Sequence, residues 1–343
     1  MLATAPTPWK CIATSHWYMF ARENDRQRQK EAKMDHVNFP YRSSSHLLLH
    51  HVIAESGSWE KHGLDVKYNY FISSADAHAD IPAGRLEFVS GNHVSTYGHR
   101  ARGDQWVYLG QATNVAKLSL VVRPDSEIAT ISDLREKYVA SSSPKNEHPN
   151  LNEWLYLKQH GLDVDKDEVA ILDRKDHNNK SARDMLFDGD AHAALMTPPN
   201  TQIAAAAGLK VIEIDPLPMI LNTSISTSIS FVRDNPDLVQ RFLKGILEGI
   251  AFFKTHPEAT KKIMKESYTR KGELSNEVVD LVYEDLAQTL EPTLYPSLEA
   301  IANVYQLGVR QDPDALKVNP MALWDMHHLR EIDDSGFIRR LYE

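Results

Sequence analysis

Apolar positions along this chain switch period again and again, from two to about three and a half residues. Val66, Tyr68 and Tyr70 alternate with polar neighbours across residues 65–71, which predicts a strand. Residues 37–41, 86–90 and 106–110 read as further strands, with helices between them over 45–55, 75–83 and 94–101. A second round opens near 118–122. It predicts strands at 138–141, 169–172, 193–196 and 210–214, and helices at 132–137, 150–160, 181–187 and 202–207. Strands alternating with helices at this spacing imply βαβ units and a mostly parallel or mixed sheet. Residues 224–232 set Ile225, Ile229 and Phe231 among Ser and Thr and predict one extended strand. From Pro236 onward the period is helical, over 237–255, 257–267, 276–289 and 297–309. The expected chain is α/β, with two lobes joined by extended crossings near 112–122 and 222–232, and a helical wrap at the end. Lobe I is expected to take 35–117 and 228–343, and lobe II 118–227. Residues 1–34 are expected to form a poorly ordered extension, because 23–33 offers no apolar period with which to pack.

At 343 residues the chain is long enough for two domains, each with its own core. A composition of 42% hydrophobic and 25% charged residues is that of an ordinary globule. The formal charge of -9 argues against nucleic acid, which needs a concentrated basic face. The single cysteine, Cys11, excludes a disulfide framework and a cysteine-rich zinc site. Apolar runs are too short for membrane insertion. The first residues lack the order of a secretory signal, since Trp9, Lys10 and Thr14 break the apolar stretch, so a cytoplasmic location is expected.

Several segments resemble a known family. Residues 52–66, VIAESGSWEKHGLDV, resemble the opening helix-turn-strand of the type 2 periplasmic solute-binding fold. Within that fold they are most similar to the nitrate/sulfonate and thiamine-precursor branch, the NMT1/SsuA-like group. Supporting segments follow in the family's order. They are Ser132-Asp133-Leu134-Arg135, Lys158-Gln159-His160-Gly161-Leu162-Asp163, Phe187-Asp188-Gly189-Asp190-Ala191, Asp234-Asn235-Pro236 and Asp333-Asp334-Ser335-Gly336-Phe337-Ile338. The resemblance implies a two-lobed α/β molecule whose cleft closes on a small molecule. Most relatives are exported receptors feeding an ABC importer. A minority are cytoplasmic enzymes built on the same cleft: pyrimidine synthases, aryl-sulfinate desulfinases and, more distantly, dihydroxyphthalate decarboxylases. The synthases carry a run of cysteines in the C-terminal half, and the desulfinases a cysteine nucleophile at the cleft. Cys11 stands alone and well before the first strand, so neither of those two activities is expected.

In open α/β sheets, ligands bind beyond the carboxyl ends of the strands, where helix starts converge. Four loops fall there. Tyr41-Arg42-Ser43-Ser44-Ser45-His46 follows the first strand. Its serines leave N–H groups and hydroxyls for an anion, and Arg42 offers a bidentate partner to a carboxylate. The same residues also read as a plain serine cap beside a solvated arginine. Gly91-Asn92-His93 turns an imidazole toward the cleft, suited to proton transfer or simply to shaping the pocket. The run Ser141-Ser142-Ser143-Pro144-Lys145-Asn146-Glu147-His148 repeats the helix-start chemistry in lobe II, or is a polar surface loop. Met196-Thr197-Pro198-Pro199-Asn200 forms a rigid turn with Thr197 and Asn200 as contacts, or just a helix start.

His46 and His50 stand i,i+4, a spacing that lets two imidazoles share a metal. No glutamate accompanies them as in HExxH, and no third ligand follows by spacing, so hydrogen-bonded histidines and no metal are expected. No dinucleotide fingerprint, Walker loop or nucleophile elbow occurs, and no cofactor is expected. Tyr97, Trp106 and Tyr108 are candidates to stack on an aromatic ligand, with the core as their alternative place. The leading expectation is a cytoplasmic enzyme acting on a small carboxylated molecule, as a decarboxylase or other lyase. His93, with His50 or His148, then handles protons. Arg42, Ser44, Ser45, His46, Asn92, Ser142, Ser143, Lys145, Thr197 and Asn200 hold the anion. The alternative is a non-catalytic substrate-binding protein of an ABC importer, or a sensor, and under that reading alone an ABC permease is a partner.

Overall fold

The computed structural model describes residues 34–91, 93–141, 151–166, 168–269 and 275–343. The expected N-terminal extension and the loop carrying Ser142, Ser143, Lys145 and His148 lie outside the described residues, as does Asn92.

In chain order the first lobe opens with β1 (Asp35–Asn38), α1 (Leu47–Glu55), α2 (Ser58–Lys61), β2 (Leu64–Lys67), α3 (Ser74–Asp80), β3 (Val89–Ser90), α4 (Thr96–Ala101) and β4 (Trp106–Gln111). After β5 (Val115–Ala116) come β6 (Ser119–Val122), β7 (Tyr138–Ser141), α5 (Leu151–Gln159), β8 (Ala170–Leu172), α6 (Ala182–Asp188), β9 (Ala193–Met196), α7 (Asn200–Ala206) and β10 (Lys210–Glu213). The chain returns through β11 (Leu217–Pro218) and β12 (Ser224–Ser228). It ends in helices: α8 (Ile229–Asp234), α9 (Pro236–Thr255), α10 (Pro257–Thr269), α11 (Asn276–Thr289), α12 (Leu298–Gln311), α13 (His327–Asp334) and α14 (Phe337–Arg340).

The lobe II sheet has the order β10-β6-β9-β7-β8, with β7 parallel to β8 and β9, and β6 antiparallel to both its neighbours. Lobe I repeats this plan. β1 is parallel to β2, and β12 is antiparallel to β3 and β4. Backbone bonds from Phe88 and Ser90 to the carbonyls of Asn38 and Pro40, and from Arg42 back to Ser90, stitch β1 to β3. The order is then β2-β1-β3-β12-β4. In each lobe the antiparallel strand is the one that arrives from the other lobe.

The central strands β4, β6, β9 and β12 are buried on both faces, so alternate residues serve different cores. Trp106 and Tyr108 of β4 join one cluster, while Val107 and Leu109 join another. Leu120 and Val122 of β6 likewise face the first cluster, and Val121 a third. The first cluster runs through both lobes, carrying Leu195 and Tyr156 from lobe II beside Tyr97 and Val304. Tyr97, Trp106 and Tyr108 are fully buried in it, so the structure gives these rings to the core and not to a ligand.

Two expectations about the crossings are corrected. β5 pairs antiparallel with β11, so the return crossing begins at 217–218, ahead of the expected 222–232, and runs on through Asn222 into β12. The strand expected over 224–232 stops at Ser228, whose hydroxyl accepts from the Phe231 N–H at 3.1 Å and so starts α8.

Candidate ligand-binding cleft

The chain leaves β1 through Phe39 and Pro40 and reaches Tyr41, which bridges to both Phe71 and Ser90 at the carboxyl edge of the sheet. Arg42 is fixed there. Its guanidinium donates to the Ile72 carbonyl and lies 5.6 Å from the centre of the Phe71 ring, itself 51% exposed. Gly91 makes this approach feasible. Its φ of 110° suits glycine, and an added Cβ would stand 3.0 Å from both Arg42 Cβ and His46 Cε1. The loops after β1 and β3 therefore press directly on one another.

A 3-10 turn over Ser44–His46 leads into α1. Ser44 and Ser45 are exposed at its start, and Ser45 Oγ lies 3.1 Å from both Ser43 Oγ and Asn222 Oδ1. Asn222 belongs to the return crossing and sits in the left-handed region, with φ 57°. It thus aims a carboxamide at the serine loop. A narrow crevice runs on from Ser45 between Leu48, Leu49, Thr113, Asn222 and Thr223.

Below the loop, His46 is buried with Nδ1 2.7 Å from Ser90 Oγ. Burial holds its pKa well below the usual value, and the charges of His50, His93 and Arg42 add to the effect. His93 is half-buried close to this group. Arg42 and His46 of one loop and His93 of another are thus brought together on lobe I. His50 differs. It packs in the core 4.7 Å from Phe39, ring to ring, with Nε2 3.4 Å from Thr223 Oγ1. Desolvation lowers its pKa to about 3, so it stays neutral and does not donate a proton near neutral pH. The role of His50 in acid/base chemistry is not supported by this place.

In lobe II, Thr197 is half-buried beside the Pro198–Pro199 bond, and Asn200 is exposed at the start of α7. That helix touches α11, and Ile203 reaches the lobe I core. On another side α12 contacts α5, where Arg310 makes two 2.8 Å bonds to Asp165 and Gln159 donates to Asn303.

The sequence names Gly91 within a cleft loop but gives no role to Phe71, which reads as the end of a strand, or to Asn222. Asn222 carries a signal in principle, since asparagine tolerates positive φ at a turn.

Two lobes on matching sheets, joined by paired crossings, define the periplasmic-binding-protein fold. Solved structures agree. The periplasmic aliphatic sulphonate binding protein SsuA of Escherichia coli superposes with a TM-score of 0.63 at 17% identity, over 84% of this chain and 98% of its own. A putative periplasmic sulfonate-binding protein of Methylobacillus flagellatus gives 0.66 at 14% identity, over 89% and 96%. A cysteine-to-serine variant of DszB, solved with biphenyl-2-sulfinic acid, gives 0.60 at 17%, over 88% and 99%. No curated protein matches by sequence. The family profile described as NMT1/THI5 like matches residues 50–260, and the protein belongs to that family. Among the described residues no helix is long and apolar enough to cross a membrane.

Proposed function

We propose that the protein is a solute-binding protein whose cleft takes a small organic anion with a sulfonate- or carboxylate-type head. The observation that carries this reading is Arg42, held at the carboxyl edge of the lobe I sheet against the Phe71 ring and next in sequence to the serine loop. An oriented guanidinium is suited to a planar or tetrahedral oxyanion, and the exposed serines of the same loop add hydroxyls. The exposed face of Phe71 offers an apolar surface for the rest of such a molecule. Sulfonate-binding proteins among the structural neighbours favour the same class of ligand.

Binding is favoured over the lyase reading. Of the proposed proton-handling residues within the described chain, His50 is locked neutral in the core, which leaves His93 without that partner. As a receptor the protein would deliver its solute to an ABC permease.

Calorimetric titration with alkanesulfonates and carboxylates of matched size tests the reading. We expect saturable one-to-one binding with the ligand recovered unchanged. Arg42→Gln should weaken it by about 2 kcal/mol, roughly thirtyfold, as loss of a charged hydrogen bond does. Catalytic consumption of the ligand, or full affinity in Arg42→Gln, would overturn the reading.

A further inference from the structure

Three side chains from three elements meet at α3 and α4, with the Arg42 charge within electrostatic reach of His78. His78 comes from α3, His99 from α4 and Asp104 from the turn before β4. The Nδ1 atoms of His78 and His99 lie 3.4 and 3.1 Å from the same oxygen, Asp104 Oδ2, and all three donors fall within 4.8 Å of one another. Zinc bonds of about 2.0–2.1 Å place neighbouring ligands about 3.0–3.4 Å apart, so two edges of such a polyhedron already stand at length.

The unsatisfied atom is His78 Nδ1. It is buried and has no hydrogen-bond partner, although it faces a carboxylate oxygen. The other nitrogen, Nε2, lies 3.0 Å from Ser95 Oγ. When Nε2–H donates to Ser95, Nδ1 turns a lone pair toward Asp104, and two electron-rich atoms oppose each other with no proton between them. A cation resolves that opposition. A ligating histidine with its other nitrogen held by a hydrogen bond is also the usual arrangement at metal sites. The side chains of His99 and Asp104 are 37% and 31% exposed, which gives an ion a way in. Arg100 donates to the backbone carbonyl of Asp104 and not to its carboxylate.

We propose that His78, His99 and Asp104 form a binding site for a divalent transition-metal ion of the zinc type, with water completing the coordination. The two imidazoles stack with centroids 3.5 Å apart and planes 4° from parallel. Parallel rings hold their lone pairs side by side, so metal loading splays them.

The test uses the full chain, stripped with chelator and titrated with zinc chloride by calorimetry, then with cobalt chloride followed by visible absorption. The expected result is one equivalent bound, with the ligand-field bands of nitrogen and oxygen donors. His99→Gln and Asp104→Asn should each lower affinity by tenfold or more. His36→Gln, which removes the exposed histidine paired with Asp65, should leave it unchanged. Both site variants lie at partly exposed positions, and circular dichroism melts check that they fold. Absence of saturable binding, or binding that survives Asp104→Asn, would overturn the proposal. The second outcome would place the ion elsewhere on the chain and leave a proton shared between His78 and Asp104.

Discussion

His50 shows how far a residue type can mislead when its surroundings are unknown. Read from sequence, a histidine four residues after His46 near a cleft loop is a proton carrier. In the structure it is an aromatic-lined core residue beside Phe39, Trp59 and Tyr68. Its folded pKa of about 3 lies below the ordinary 6.5, so the unfolded chain takes up the proton first. Stability is then complete above about pH 6.5 and falls as the pH drops toward 3, by up to about 1.4 kcal/mol per pH unit for this group. His46 and His78, both lowered mainly by burial, act in the same direction. Urea midpoints at pH 7.5, 6 and 5 should therefore decline, and His50→Gln should decline less steeply. Parallel declines would move the acid sensitivity to the other histidines lowered by burial, His46, His62, His78 and His328. The place of Arg42 and His93 after strand ends was legible because a strand's carboxyl end can be read from period alone. The pKa of a histidine could not be, because burial depends on partners far away in sequence.

Long elements announced themselves well. The strands at Tyr138–Ser141 and Ala193–Met196 and the helix at Asn276–Thr289 fall at the residues expected, because their apolar periods are uninterrupted. The strand expected over 86–90 shrinks to two residues, and the one expected over 224–232 gives way to α8 at a serine cap. A Ser/Thr-rich alternating run looks the same whether its serine lies in a ladder or begins a helix. Helix α9 carries a different kind of information in its glycines. Its stripe of Val239, Phe242, Leu243, Ile246, Leu247 and Ile250 predicts burial, but Gly249 sits where a Cβ would come within 2.4 Å of Ile53 Cγ1 on α1. The close approach of α9 to α1 depends on that missing atom. Gly249→Ala gains roughly 1 kcal/mol of helix propensity, against about 1–3 kcal/mol for overpacking. Chemical denaturation should find the variant less stable than the parent. A gain in stability would mean that α1 shifts aside without cost.

The repeat of one sheet plan in both lobes was not visible in the sequence, since equivalent strands share position and direction but no residues. Such symmetry makes the crossings a place where each lobe depends on the other, because the antiparallel strand of each sheet arrives through them. Gln111 sits at that place. Its fully buried carboxamide donates to the carbonyls of Thr113 and Leu221, one on each crossing, and accepts from Ser224 Oγ at the start of β12. Lys117 adds an ion pair of 2.6 Å to Asp285, and Asn114 binds the chain at Tyr295 and Ser297. Of these ties, the Gln111 side chain spans both crossings. Gln111→Leu keeps the bulk but leaves at least two buried polar groups short of a partner, at about 1–3 kcal/mol each. The variant should lose at least about 2 kcal/mol of stability. Small-angle scattering should also record a larger radius of gyration without ligand, because the crossings would no longer be tied together. Loss of stability without expansion would assign Gln111 to the lobe I sheet alone. It would leave the β5–β11 pair, with Lys117 and Asp285, as the structure that sets the angle between the lobes.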